Sequence, residues 1–173
     1  MRRDVKTYLQ AAALGLVAGM RSASAPAIVS GYIRQRRSRI LASPQLADSP
    51  LRYLMSPLAS NALRVFALGE MVMDKMPFVP KRTETSSLAA RAVSGGLAGA
   101  VVGVMYRGSP MLAGLIGALS ATGATFGAYR LRKQLTENTA VPDAVVGGLE
   151  DLLVLGTGYY LVNTNENAAI QGD

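Results

Sequence analysis

The chain has no cysteine, no histidine and no tryptophan in its 173 residues, and only three phenylalanines. Without thiols or imidazoles there can be no disulfide, no thiol nucleophile, no zinc site of the usual ligand type and no imidazole proton relay. Ser-His and Cys-His catalytic arrangements go with them. No glycine-rich phosphate or dinucleotide loop stands between a strand and a helix. A hydrolytic site would need a Ser-Lys or paired-carboxylate design, so we expect no enzyme, no catalytic residue, no metal and no cofactor. Pro/Ser-rich linkers and charge blocks are also missing, which leaves residues 1–173 as one domain.

What is present points to a bilayer. Half of the residues are apolar, 18 are glycine, and the formal charge is +7. Abundant glycine suits closely packed membrane helices better than a water-soluble core. The basic residues stand in short groups between apolar runs, as loop charges do in membrane proteins, so nucleic acid is not an expected partner and the lipid bilayer is.

The apolar runs predict an all-α, polytopic transmembrane bundle of about five spans, at 8–33, 57–76, 86–106, 110–129 and 142–162, with a polar tail over 163–173. Arg21 and Pro26 interrupt the first. A straight helix of that length would rise roughly 39 Å against about 30 Å of hydrocarbon, so it must tilt, break between Arg21 and Pro26, or fold back as two half-helices. The basic start and the Ala23-Ser24-Ala25 run imitate a signal peptide, but the proline that follows and the embedded arginine argue against cleavage. Pro77 and Pro80 end the second span, and only Arg107, Gly108 and Ser109 separate the third from the fourth, which predicts a tight hairpin.

With five crossings, Arg2, Arg3, Lys6, Lys75, Lys81, Arg82, Arg130, Arg132 and Lys133 share one side. Arg34, Arg36, Arg37, Arg39, Arg52 and Arg107 share the other. The excess favours an inside N-terminus, against which the basic first loop argues. A re-entrant first stretch would move that loop to the N-terminal side. A faint repeat relates AGMRSASA (Ala18 to Ala25) to GALSATGA (Gly117 to Ala124) and GEMVMD to GLEDLL. An offset of three crossings would give the copies opposite topology, as in inverted-repeat transporters.

Ionisable residues within these runs carry the functional signal. Arg21, Arg64, Glu70, Arg91, Glu150 and Asp151 would each cost from a few to more than ten kcal/mol if left unpaired in hydrocarbon, so they should face inward and find partners. Glu70 and Asp74 are four apart and share a helical face, where their repulsion needs an arginine, a cation or a proton. Five crossings would gather Glu70, Asp74, Arg91, Glu150 and Asp151 in the N-terminal-side half of the bundle. Such a cluster can be a site or an ion-pair network that holds helices in register.

Ser22, Ser24, Pro26, Ser30 and Gly31 line the expected break in the first span. Freed carbonyls and hydroxyls there suit a small cation or polar solute, or are re-satisfied within a simple kink. Gly95, Gly99 and Gly103 recur every four residues behind Arg91 on one face, and Gly15 with Gly19 and Gly123 with Gly127 repeat the spacing. Helix packing is the ordinary role of such glycines.

Three segments carry a resemblance to a known family: GLVAGMRSASAP; EMVMDKMPFVPKRTETSSLAARAVSGGLAGA, with Asp74, Lys75, Pro77 and Arg91; and GGLEDLLVLG, with Glu150 and Asp151. Together they resemble the bacterial membrane-protein family known as domain of unknown function 4126, from about Leu9 to Leu161. The chain departs from the usual pattern in its longer, more basic first loop and in the small residues around Arg21. The resemblance implies only an α-helical membrane protein and adds no activity; with the predicted spans, the expected location is a bacterial inner membrane, crossed several times.

Three functional classes remain, of which a membrane-surface enzyme ranks last and would need a headgroup-level pocket with a carboxylate pair or a Ser-Lys pair. A small transporter or channel-like protein for an ion or small polar solute explains the intramembrane charges, the broken span and the repeat, and would need to self-associate as a homo-oligomer because five short helices enclose little volume. A non-transporting structural or accessory membrane protein explains the glycine faces and the charges without a substrate. The discriminating feature is whether the charged cluster lines a cavity open to water or sits paired in a dry interior.

Overall fold

The computed structural model describes residues 2–35, 53–54, 56–73, 84–138 and 143–170. Those residues form six α-helices and no β-strand: α1 (Arg2–Met20), α2 (Ser24–Gln35), α3 (Pro57–Met73), α4 (Thr85–Met105), α5 (Pro110–Asn138) and α6 (Asp143–Ile170). Among the described residues, α4 and α5 are the two helices long and apolar enough to cross a membrane.

Local chemistry sets several boundaries. Ser56 and Ser109 each precede a proline, and their hydroxyls accept hydrogen bonds from the amides of Ala59 at 3.0 Å and Leu112 at 3.3 Å. The serine satisfies an otherwise free amide at the helix start, while proline in the first helical position has no N–H to satisfy. At the far end of α4, Gly108 donates to the Gly103 carbonyl at 2.8 Å and Arg107 to that of Val104 at 3.3 Å, with Arg107 left-handed at φ 56°. This pair of bonds reverses the chain into α5.

Helices α1, α4 and α5 form the most closely packed part of the fold. Gly95 and Gly117 meet backbone to backbone: a Cβ on Gly95 would lie 2.6 Å from the Gly117 carbonyl oxygen. The same seam continues through Gly99, which faces the Ala113 carbonyl, and Gly103, where a Cβ would lie 2.8 Å from Pro110 Cα. From α1, Gly15 faces the same Gly117 carbonyl and Gly19 that of Ala121. Gly123 and Gly127 differ, since a Cβ on either would meet nothing within 4 Å. Their spacing matches the seam, but they lie on a face of α5 that no neighbour covers among the described residues.

The 8–33 stretch is not one helix. It stops at Met20 and restarts at Ser24, and the chain reverses there. Thr7, early in α1, packs against Gly108, and Tyr32, late in α2, places its hydroxyl 3.4 Å from that of Tyr106, so both ends of the stretch meet the same end of α4. The break meets Arg91 and Ser94 near the other end of α4. Counting from Thr85, Arg91 lies six residues or roughly 9 Å along the helix, so the tip of the α1–α2 hairpin stops inside the length of α4. Helix α3 runs beside α2 with Asn61 near Arg34 and Glu70 at the break, and α6 leads from Asp151 at the break to Gly158 against Ile28.

This reversal alters two expectations. Glu70, Arg91, Glu150 and Asp151 gather at the end of the bundle away from Thr7, not in the N-terminal-side half, because α1 carries the chain across before it turns. The two copies of the faint repeat also differ locally: Ala18 to Ala25 holds the break, while Gly117 to Ala124 runs unbroken through α5.

Candidate functional site

The break between α1 and α2 exposes the polar ends of two helices inside the fold, and side chains from four other helices answer them. At the end of α1, the carbonyls of Gly19 and Met20 have no helical partner. Arg91 of α4 donates to both, at 2.6 Å and 3.3 Å. Thr125 of α5 also donates to Gly19, at 3.1 Å, and shares its proton with its own helix at Ala121, 2.8 Å away.

The start of α2 is served by Glu70 of α3. One carboxylate oxygen accepts from the Ser22 amide and the Ser22 hydroxyl, both at 2.9 Å, and the other from the Ala23 amide at 2.9 Å. Ser94 of α4 donates its hydroxyl to the Ser22 carbonyl. Between the two ends, Arg21 reaches Asp151 of α6 at 2.6 Å and the backbone carbonyl of Glu70 at 3.4 Å. The signs are matched to the helix ends: a guanidinium meets the partial negative charge at the end of α1, and a carboxylate meets the partial positive charge at the start of α2.

Burial makes these pairings consequential. Arg21 is 1% exposed and Arg91 5%, and at that depth an uncompensated charge would cost several kcal/mol. Glu150, next to Asp151 on α6, is also buried. Pro26 is buried in the first turn of α2, where its missing N–H removes no helical bond. Arg21, Ser22, Glu70, Arg91 and Asp151 are thus brought into one assembly. Asp74 lies outside the described residues. Gly95, Gly99 and Gly103 run away from the assembly along the α4–α5 seam.

Ser24 is set apart from the rest. Its hydroxyl is buried with no hydrogen-bond partner, and it lines a cleft of about 480 Å³ between α2, α3 and α6. The other lining residues are mostly apolar, including Ile28, Leu68, Met71 and Val154, with Gly31 and Arg64 at the same cleft. Among the described residues no group of three acidic side chains could hold a metal ion.

Two members of the assembly were not singled out by sequence reasoning. Ser94 follows Arg91 by three residues and so shares its face, a signal that could have found it. Thr125 sits in a run of small residues with no charge nearby, and nothing local distinguishes it.

A family model described as Domain of unknown function (DUF4126) matches residues 8–169, which takes in the break, the charges that hold it and the carboxylates of α6. No curated protein and no solved structure matches the chain. By that match over nearly its whole length, the chain belongs to the family described as domain of unknown function 4126.

Proposed function

We propose that the protein is a non-transporting integral membrane protein, structural or accessory in role, in which α1 and α2 form a re-entrant hairpin clamped by paired charges. Helices α3 to α6 cross the bilayer around it. The observation that carries this reading is Glu70: both of its carboxylate oxygens are engaged by the amides and hydroxyl of the break, so they hold backbone and do not face a solute.

Three further features support it. Large apolar side chains lie exposed along α3, α5 and α6, among them Leu58, Phe66, Met111, Leu119, Leu152 and Leu153, a surface that water would penalise and lipid would not. Non-helical backbone at membrane depth is tolerated only where protein satisfies its polar groups, and the break is satisfied in that way. Of the residues named from the sequence, Ser24, Gly31 and Arg64 line the neighbouring cleft, which is largely apolar, and none of the charges that hold the break does. A transport path through the cluster would require its charges to face water.

A hairpin also reassigns the loops. The basic segment after α2 then shares a side with the N-terminus and Arg107, so that the first loop no longer argues against an inside N-terminus.

Because the chain has no cysteine, single-Cys variants labelled with a membrane-impermeant thiol reagent test this directly. Val5→Cys and Ser109→Cys should label from the same side, and Ser94→Cys and Thr125→Cys should stay protected in folded protein. Labelling of the first pair from opposite sides would make the first stretch a single crossing. Ready labelling of the second pair would reveal water at the cluster and restore the transport reading.

A further inference from the structure

We infer that the cleft between α2, α3 and α6 binds an anionic phospholipid, with one acyl chain in the cleft and the phosphate on Arg64. This site rests on the membrane reading of the fold and goes beyond it by giving the cleft a ligand.

Arg64 supplies the charge for this site. It lies seven residues into α3, roughly 10 Å from the start of that helix, and stands among the exposed apolar side chains Val65, Phe66 and Leu68. It is itself exposed and makes no ion pair or hydrogen bond among the described residues. The contrast with Arg21 and Arg91 is direct, since each of those buried guanidiniums has protein oxygens within reach. An arginine inside a span with no partner among the described residues is costly in hydrocarbon, and a lipid phosphate at the boundary is an anion that can answer it.

The cleft supplies the second half of the recognition. Its volume of about 480 Å³ falls within the usual range of small-ligand sites. Arg64 stands at Gly31, where its guanidinium would lie 3.3 Å from an added Cβ, and the lining runs along α2 to Ser24, seven residues or roughly 10 Å away. A slot of this kind, apolar along its length with one cation at Gly31, fits an alkyl chain attached to an anion. A helix from a second copy, with a diameter of about 10–12 Å, matches it less well.

The test uses the full chain purified in detergent and re-equilibrated with phosphatidylglycerol or phosphatidylcholine, with bound lipid counted by native mass spectrometry. The wild type should prefer phosphatidylglycerol by about five-fold, the contribution of one membrane-surface arginine. Arg64→Gln should abolish that preference while leaving chain binding. Gly31→Leu should lose both lipids, and it should fold because a Cβ at this position meets only the movable end of Arg64. Arg107→Gln, at the exposed α4–α5 turn, should change nothing.

An unchanged preference in Arg64→Gln, or equal binding of the two lipids by the wild type, would overturn the site. Release of the lipid by inorganic phosphate alone would show a free-anion site instead, and a dimer without lipid would show that a second copy fills the cleft. Recovery of the chain in the soluble fraction without detergent would sink the membrane reading itself, whereas a membrane-bound chain with no lipid preference would sink only the site.

Discussion

The two sides of this bundle are built on different rules. Along α1, α4 and α5 small residues let backbones touch, and Gly95 against Gly117 leaves no room for even a methyl group. Around α2, α3 and α6 the contacts are sparser, and larger side chains leave a cleft of about 480 Å³. The break at Arg21 joins them, with Arg91 and Thr125 reaching it from the close-packed side and Glu70 and Asp151 from the looser one. Precise backbone fit therefore fixes one half, while hydrogen bonds and charge hold the other half to it.

If charge is what joins the halves, cutting it should have the largest effect. Arg21→Met should destabilise the protein by about 3–5 kcal/mol, because Asp151 is left without its guanidinium. The double variant Arg21→Met with Asp151→Leu should recover most of that loss, since two apolar groups replace the pair. Thermal unfolding in detergent measures both, and a double variant as unstable as the single would show that other contacts hold α6 to the break.

The seam makes the next prediction. Gly95→Leu should cost about 3 kcal/mol or more, because its Cβ would strike backbone that cannot give way. By contrast, Gly123→Ala on the uncovered face of the same helix pair should stabilise by about 0.5–1 kcal/mol through helix propensity alone. Equal effects at the two glycines, read from the same unfolding curves, would erase the distinction between the seam and the open face.

An effect as small as that of Gly123→Ala is expected at the turn that closes the seam. Arg107 is left-handed, a conformation glycine adopts freely, so Arg107→Gly should stabilise by about 1 kcal/mol. No gain in unfolding temperature would mean that the arginine side chain offsets its backbone cost.

Parts of this were legible in the residues. Arg21 and Pro26 inside an apolar run announced a break, and the four-residue spacing of Gly95, Gly99 and Gly103 put them on one face. The direction of the chain after the break was not legible. Seven small or apolar positions around Arg21 are compatible with a kink or a reversal, and only distant partners distinguish them. Spacing also could not separate Gly95 from Gly123, since both sit four residues from another glycine and differ only in what lies opposite.

What the sequence by itself determined is an all-helical chain, its helix boundaries at Ser56-Pro57 and Ser109-Pro110, and a set of buried-type charges that had to find partners, because these follow from local hydrogen bonding and the cost of isolated charge. Only the tertiary structure decided which charge meets which helix end. Glu70 reaches Ser22 across 48 positions and Arg91 reaches Gly19 across 72. Separations of that length leave no trace in local pattern, and the pairing is set by how the backbones pack.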